Sequence, residues 1–454
     1  MYDDRVHRFH NPSKGGTELM AIASPNTAPS TANSATGQSY GAALATVTTL
    51  FFMWGFLTCL NDILVPHLKS IFDLNYTRVM LIQFAFFGAY FIFSIPSAKI
   101  IDWMGYQRSM VAGLLIMGLG AFLFVPAASV PSYPLFLGAL IVLAAGITCL
   151  QVAANPYVTV LGKPETASSR LNLTQAFNSL GTFLAPFFGG LFILTTAPKI
   201  EEIRALAPDA LQAYRLHEAA TVKMPYIGLG IALVLLAIAI GSFKLPKIEH
   251  AQHQLGEQVN DSIWKHPNLV FGAIAIFVYV GAEVSIGSFL VNYFSQPDIG
   301  GLTEKVAATF VAFYWGGAMV GRFIGSALLQ KVKTGSLLGL CAICAAALVA
   351  ISMLTSGHMA MYSIILVGFF NSIMFPSIFT LGVAELGPLT GDGSGIMIMA
   401  IVGGAIIPVA QGWFADRLGI HHAFFLPVIC YLYILFFALS GSKPNSERYA
   451  KASS

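Results

Sequence analysis

The sequence predicts an all-α polytopic membrane protein, twelve transmembrane helices in two six-helix bundles, on three observations. Only 10% of its 454 residues are Asp, Glu, Lys or Arg, while 56% are hydrophobic. A soluble chain carries about 25% charged residues, so a surface this poor in charge has to face lipid. Polar or Pro/Gly-bearing breaks divide the stretch from Tyr40 to Gly441 into a dozen apolar runs, each near the roughly 20 residues a membrane helix needs. The first six runs also resemble the last six in the order of their polar and proline positions.

The composition excludes other classes. Lys and Arg number 24 against 21 Asp and Glu, a net charge of +3 with no basic block, so nucleic acid is not a partner. The partners implied are the lipid bilayer and a small molecule, and the chain is expected to be a monomer. Residues 1–40 are polar and rich in Ala, Ser, Thr, Pro and Asn; they read as a disordered tail without a signal peptide. The predicted spans are 41–66, 80–101, 109–127, 133–160, 171–195 and 222–244, then 267–292, 306–329, 336–355, 359–384, 394–414 and 422–441. Short breaks separate most of them, such as Asp102 to Arg108 and Gln330 to Gly335. Two are longer, an outer loop at 196–221 and a linker at 245–266. The domain reading is therefore an N-terminal tail at 1–40, a bundle at 41–244, the linker at 245–266, a bundle at 267–442 and a C-terminal tail at 443–454. With both termini on one side, that side collects sixteen of the 24 Lys and Arg. Positive charge is retained inside, so both termini are expected in the cytoplasm.

The repeat rests on specific residues. Gln151 lies five before Pro156 in the fourth span, and Asn371 five before Pro376 in the tenth, each followed by Leu-Gly. Gly181 lies five before Pro186 in the fifth span, and Gly403 five before Pro408 in the eleventh. Ser97-Ala98 near the end of the second span matches Ser326-Ala327 in the eighth. Two six-helix bundles related by a repeat are how major facilitator transporters are built, with the substrate at mid-membrane between them.

Polar groups inside the membrane carry the functional signal. A charge at mid-span costs roughly 2.5–3.5 kcal/mol on insertion scales, so it persists where it has a partner or a watery cavity. Two acids qualify, Asp62 in the first span and Glu283 in the seventh. Trp54, Thr58, Asn61 and Asp62 fall at 0, +4, +7 and +8, on one helix face. A ring above a carboxylate and an amide suits a sugar, whose C–H face covers the ring while its hydroxyls bond the polar groups. Glu283 has Tyr279 one turn away and no Lys or Arg in its own span, so it is expected to be protonated or to face a cavity. Gln151 and Asn155 share a face of the fourth span. Gln175, Asn178, Ser179 and Thr182 recur at helical spacing in the fifth, and Asn371 takes the repeat position of Gln151.

Other features read as supporting parts. Asp102 and Arg108, after the second span, and Arg322, with Lys331 and Lys333 after the eighth, either latch the two bundles at the cytoplasmic side or serve as positive-inside anchors. Cys341 and Cys344 have C-x-x-C spacing inside an apolar run with no acid or His nearby, and read as packing. His217-Glu218 and His421-His422 sit at loop edges and are expected to be solvated. Neither a phosphate loop, H-E-x-x-H nor G-x-S-x-G occurs. The chain therefore reads as no enzyme, with no cofactor or metal, and uphill transport would draw on an ion gradient through an acid in the membrane.

Several strings resemble the fucose–galactose–glucose proton symporters. They are Phe51-Phe52-Met53-Trp54-Gly55 with Leu60-Asn61-Asp62-Ile63-Leu64-Val65-Pro66, Gln151-Val-Ala-Ala-Asn155-Pro156-Tyr157, Arg170-Leu-Asn172-Leu-Thr-Gln175-Ala-Phe-Asn178-Ser179 and Asn371-Ser-Ile-Met-Phe-Pro376. The likeness runs from Gly41 to Ser442. In the fucose symporter a Glu occupies the position of Gln151 and works with the first-helix Asp in proton coupling and sugar binding. Here Gly281-Ala282-Glu283 in the seventh span is similar instead to the bacterial glucose/galactose transporters. The resemblance implies an inner-membrane symporter that imports glucose, galactose or a related hexose with H⁺. Asp62 and Glu283 would couple the proton; Trp54, Asn61, Gln151, Asn155, Gln175, Asn178, Tyr279 and Asn371 would bind the sugar. Na⁺ coupling, a different substrate such as N-acetylglucosamine, mannose, fucose or a disaccharide, and a non-transporting sugar sensor are the competing readings.

Overall fold

In the computed structural model, residues 40–72, 76–130, 132–192, 206–246 and 262–444 are described; nearly all of the predicted N- and C-terminal tails and most of the 245–266 linker lie outside them. Among the described residues every regular element is helical. In chain order the α-helices are α1 (Tyr40–Phe72), α2 (Tyr76–Ser129), α3 (Tyr133–Val160), α4 (Ala167–Phe192), α5 (Pro208–Thr221) and α6 (Lys223–Ser242). They continue as α7 (Pro267–Phe294), α8 (Glu304–Leu328), α9 (Thr334–Leu354), α10 (Gly357–Asn371), α11 (Met374–Gly382), α12 (Thr390–Met399), α13 (Gly403–Leu418), α14 (Ile420–Ala423) and α15 (Phe425–Phe436). Ten described segments are long and apolar enough to cross a membrane. The segment Phe84–Ser129 holds the second and third predicted spans, and α4 carries the fifth. The fold is consistent with the expected twelve-helix, two-bundle architecture.

The breaks follow from residue chemistry. Within α2 the backbone leaves helical geometry at Gly105 (φ 76°, ψ 169°), a conformation open to glycine because it has no Cβ. So the predicted polar break from Asp102 to Arg108 narrows to one residue, and its charged side chains ride on helix. Pro267 opens α7 at its first turn, where a missing N–H costs nothing. The tenth predicted span is two helices, α10 and α11, parted two residues before Pro376. Proline has no N–H for the carbonyl four residues back and its ring crowds that carbonyl, so Ser372 must find another donor. The 196–221 segment, expected to be a loop, carries α5 over its last fourteen residues.

The repeat is visible in packing. A Cβ added at Gly181 on α4 would lie 2.3 Å from the Phe52 carbonyl of α1. One added at Gly403, its repeat partner, would lie 2.0 Å from the Phe277 carbonyl of α7. Both glycines let two helices touch at the backbone, as small residues do at membrane helix contacts. Helices α1–α6 pack mainly on one another, and so do α7–α15. Large apolar side chains such as Phe84, Leu235, Leu340 and Ile429 are exposed on the outside, as a lipid-facing surface requires.

The two groups meet where α12 lies on α2 and α3, and where α4 lies on α8 and α11. The contacts at one end are small and polar. The Ser168 and Thr380 hydroxyls are 2.6 Å apart, and Thr334 donates to Ser168 at 3.0 Å. Ser169 donates to the Ser326 carbonyl at 2.7 Å, and Ser326 returns a bond to the Ser169 carbonyl at 3.1 Å. Lys99 bonds Asp392 across the groups at 2.9 Å and lies 3.5 Å from Asp102. Such hydroxyl pairs can trade partners with water without leaving polar groups unsatisfied.

Candidate functional site

Each half carries a buried amide bonded to a tyrosine. In the first, Gln151 of α3 donates to the Tyr90 hydroxyl of α2 at 2.8 Å. In the second, Asn371 at the end of α10 donates to the Tyr314 hydroxyl of α8 at 2.8 Å. Amides read as repeat partners from sequence thus hold equivalent bonds, from fourth span to second and from tenth to eighth. Sequence spacing does not mark the tyrosines, which fall at unequal distances from the Ser-Ala pairs of the two spans.

The two repeat prolines supply acceptors. Pro156 leaves the Val152 carbonyl without a helical donor, and Ser394 of the other half donates to it at 2.8 Å. Pro376 leaves the Ser372 carbonyl free in the same way, and Arg322 Nε donates to it at 3.3 Å.

Around Glu283 the structure assembles a network. The Tyr279 hydroxyl, one helical turn away, donates to the Glu283 carboxylate at 2.8 Å and lies 3.1 Å from the Asn371 carbonyl. Arg322 places a terminal nitrogen 4.0 Å from that carboxylate, with both side chains 14% exposed. The other terminal nitrogen donates to the Ser179 hydroxyl of α4, in the opposite half. Ser179 passes the chain on by donating to the Gln175 carbonyl at 3.2 Å. The Arg322 carbonyl in turn accepts the Asn172 amide of α4 at 2.6 Å. One guanidinium therefore faces a carboxylate, a freed carbonyl and a hydroxyl, the planar fork that arginine presents.

This placement corrects one expectation. Arg322, expected in the loop region after the eighth span, lies inside α8 six residues before its end. Glu283, with no Lys or Arg in its own span, takes its facing cation from the next helix. The rest of the proposed cytoplasmic gate is split: Asp102 sits beside the Lys99–Asp392 pair, while Arg108 is exposed. Asp392, which closes that pair, carries no sequence signal, because nothing in its Thr-Gly-Asp-Gly context marks it as facing Lys99 on another span.

The remaining sugar-site candidates are distributed. Tyr279 and Asn371 come together with the proton-coupling candidate Glu283. Trp54 is buried, its ring centroid 4.1 Å from that of Phe51. Asn178 donates to the Phe51 carbonyl at 2.9 Å, tying α4 to α1. Gln175 is buried on α4 one turn before Ser179. Asn155 is wholly buried, and its amide has no hydrogen-bond partner among the described residues. The side chains of Asn61 and Asp62 lie outside the described residues. Of the pairs expected at loop edges, His217 and His422 are exposed as expected, while their neighbours differ. His421 is half-buried, its Nε2 2.6 Å from the Met353 carbonyl, and Glu218 is buried on α5 rather than solvated. Cys341 and Cys344 are free thiols.

The comparisons agree with one another. The profile of the Major Facilitator Superfamily matches residues 42–401. The chain is 53% identical over 424 residues to the glucose/galactose transporter of Brucella abortus biovar 1 (strain 9-941), covering 93% of this chain and all of that one. It is 35% identical to the L-fucose-proton symporter of Escherichia coli K12, over 88% of this chain and 93% of that one. A crystal structure of a Major Facilitator Superfamily transporter in the outward conformation superposes with a TM-score of 0.83 at 34% identity, over 89% of this chain and all of that one.

The double hydroxyl contact between the halves offers a test of the seam. In a variant with the native cysteines replaced, Ser168→Cys with Thr380→Cys should oxidise to a disulfide and stop transport, and reductant should restore it. Cross-linking that leaves uptake unchanged would mean that this end need not open.

Proposed function

Because this chain belongs to the Major Facilitator Superfamily, we propose that it is a secondary active transporter that imports glucose or galactose together with a proton. It moves sugar without converting it. The observation that carries the reading is the buried carboxylate Glu283, held between Tyr279 and Arg322 where the two halves meet. A carboxyl that is charged in one carrier state and neutral in another is what proton coupling needs. The substrate assignment is supported by 53% identity to a glucose/galactose transporter against 35% to a fucose symporter. The amide of Gln151, bonded to Tyr90, leaves the fourth span without a proton-carrying group at that position and throws the weight of coupling onto Glu283 and Asp62.

Sugar binding is assigned to Tyr279, Asn371, Gln151, Asn155, Gln175 and Asn178, with Trp54 and Asn61 from the first span. The domain division is a bundle at 41–244 and another at 267–442, joined by the 245–266 linker. The end closed by the Ser168–Thr380 and Lys99–Asp392 contacts is assigned to the cytoplasm on the positive-inside rule, which makes the conformation outward-facing and puts both termini inside. The protein works as a monomer in a bacterial inner membrane.

Uptake of labelled glucose in cells lacking their own hexose carriers tests this reading. Protonophore-sensitive uptake, displaced by excess galactose more strongly than by fucose, is the expected result. Uptake indifferent to protonophore, or displaced by neither hexose, would overturn it.

A further inference from the structure

We propose that Arg322 is the arm that ties the charge of Glu283 to closure of the cytoplasmic end, acting through its cross-bundle bond to Ser179. This deepens the proton-symport reading and rests on it.

Three observations meet at this side chain. Arg322 is 14% exposed and faces Glu283 at 4.0 Å on its own half. The same guanidinium donates to Ser179 on the other half. Ser179 lies one turn after Gln175 and next to Asn178, two groups assigned to the sugar. The arm therefore touches the proton site, the bundle interface and the border of the sugar site at once. It also lies beside the closed seam, since Asn172 donates to the Arg322 carbonyl and Ser169 and Ser326 exchange bonds one turn further along α8.

The charge logic gives the direction. While Glu283 is a carboxylate, the guanidinium is held at the interface by opposite charge, and its bond to Ser179 pins the two halves together. When Glu283 takes a proton, that attraction is lost. A buried, uncompensated guanidinium is then costly, and hydration through an opening seam relieves it. After the proton leaves inside, the restored carboxylate draws Arg322 back and the end closes again. Proton binding thus favours opening inward and proton release favours resetting outward, which is the order an importer needs. Arg322 is a positioning residue in this scheme; it neither accepts the transported proton nor bonds the sugar.

Ser179→Ala separates this role from a merely structural one, because it removes the cross-bundle bond and leaves the Glu283–Arg322 pair intact. Purified wild type and variant would be reconstituted in liposomes. Three quantities are read: accumulation of labelled glucose under an imposed pH gradient, proton entry per sugar, and exchange of labelled for unlabelled glucose without a gradient. A lost charge-assisted hydrogen bond shifts an equilibrium by roughly tenfold or more. With the pin gone, the seam opens without the proton. Accumulation should fall by about that factor and proton entry per sugar should drop, while exchange persists. Wild-type accumulation and an unchanged proton-to-sugar ratio in the variant would overturn the arm. So would loss of exchange together with accumulation, which would place Ser179 in the sugar site. Should the wild type itself fail to accumulate sugar under the pH gradient, the proton-symport reading fails first, and the comparison with the variant keeps the two failures apart.

Discussion

Glu283→Gln should end accumulation of sugar against its gradient while sparing exchange. Glutamine has nearly the same shape and its carbonyl can still accept the Tyr279 hydroxyl, which now bonds the carboxylate at 2.8 Å. What it cannot do is gain and lose a proton. With one proton per sugar, each pH unit of gradient supports about tenfold accumulation, the 1.36 kcal/mol that one unit is worth. An uncoupled carrier loses all of that factor and brings sugar only to equal concentrations. The check is the steady-state ratio of internal to external sugar in liposomes under an imposed pH gradient. Undiminished accumulation by Glu283→Gln would hand the coupling role to Asp62.

Arg322→Met is expected to have the largest effect on stability. It removes the cation that faces Glu283 and leaves a carboxylate that is 14% exposed without its partner. Breaking one side of a buried ion pair costs about 3–5 kcal/mol, whereas replacing both sides by neutral groups is often nearly free. Arg322→Met combined with Glu283→Gln should therefore be more stable than Arg322→Met alone. Thermal unfolding of the detergent-solubilised proteins compares them directly. Equal stability of the single and double variants would mean that the 4.0 Å approach carries no net attraction.

These two predictions use a contact that could not be read along the chain. Hydropathy and breaks located the spans because each lipid-crossing helix satisfies its own backbone, so the signal is local. The proline positions were legible but not what each does: Pro376 parts α10 from α11, whereas its repeat partner Pro156 stays inside α3. Repeat pairs such as Gly181 with Gly403 carried over because each marks a backbone approach that admits no side chain. The partner of Glu283 was not legible. Arg322 is 39 residues further on, on another helix, and the positive-inside rule drew it to the membrane surface. The seam hydroxyls Ser168, Thr380 and Thr334 were equally silent, since a serine near a helix end looks alike whether it caps, packs or bridges.

The amide–tyrosine pairs show the limit from the other side. Their proline spacing marks Gln151 and Asn371 as repeat partners, yet the bonds to Tyr90 and Tyr314 depend on helix rotation and depth. Likewise Asn178, placed on the sugar face by spacing, holds α1 to α4 through the Phe51 carbonyl. Membrane amides of this kind glue helices as readily as they bind solutes, and spacing alone does not separate the two uses.

The most direct measurement is glucose accumulation by purified protein in liposomes, under an inward proton gradient and separately under an inward Na⁺ gradient, with unlabelled galactose and fucose as competitors. Accumulation under the proton gradient alone, displaced by galactose before fucose, is the predicted result. Accumulation driven only by Na⁺, or no accumulation by folded protein under either gradient, would contradict proton-coupled hexose import.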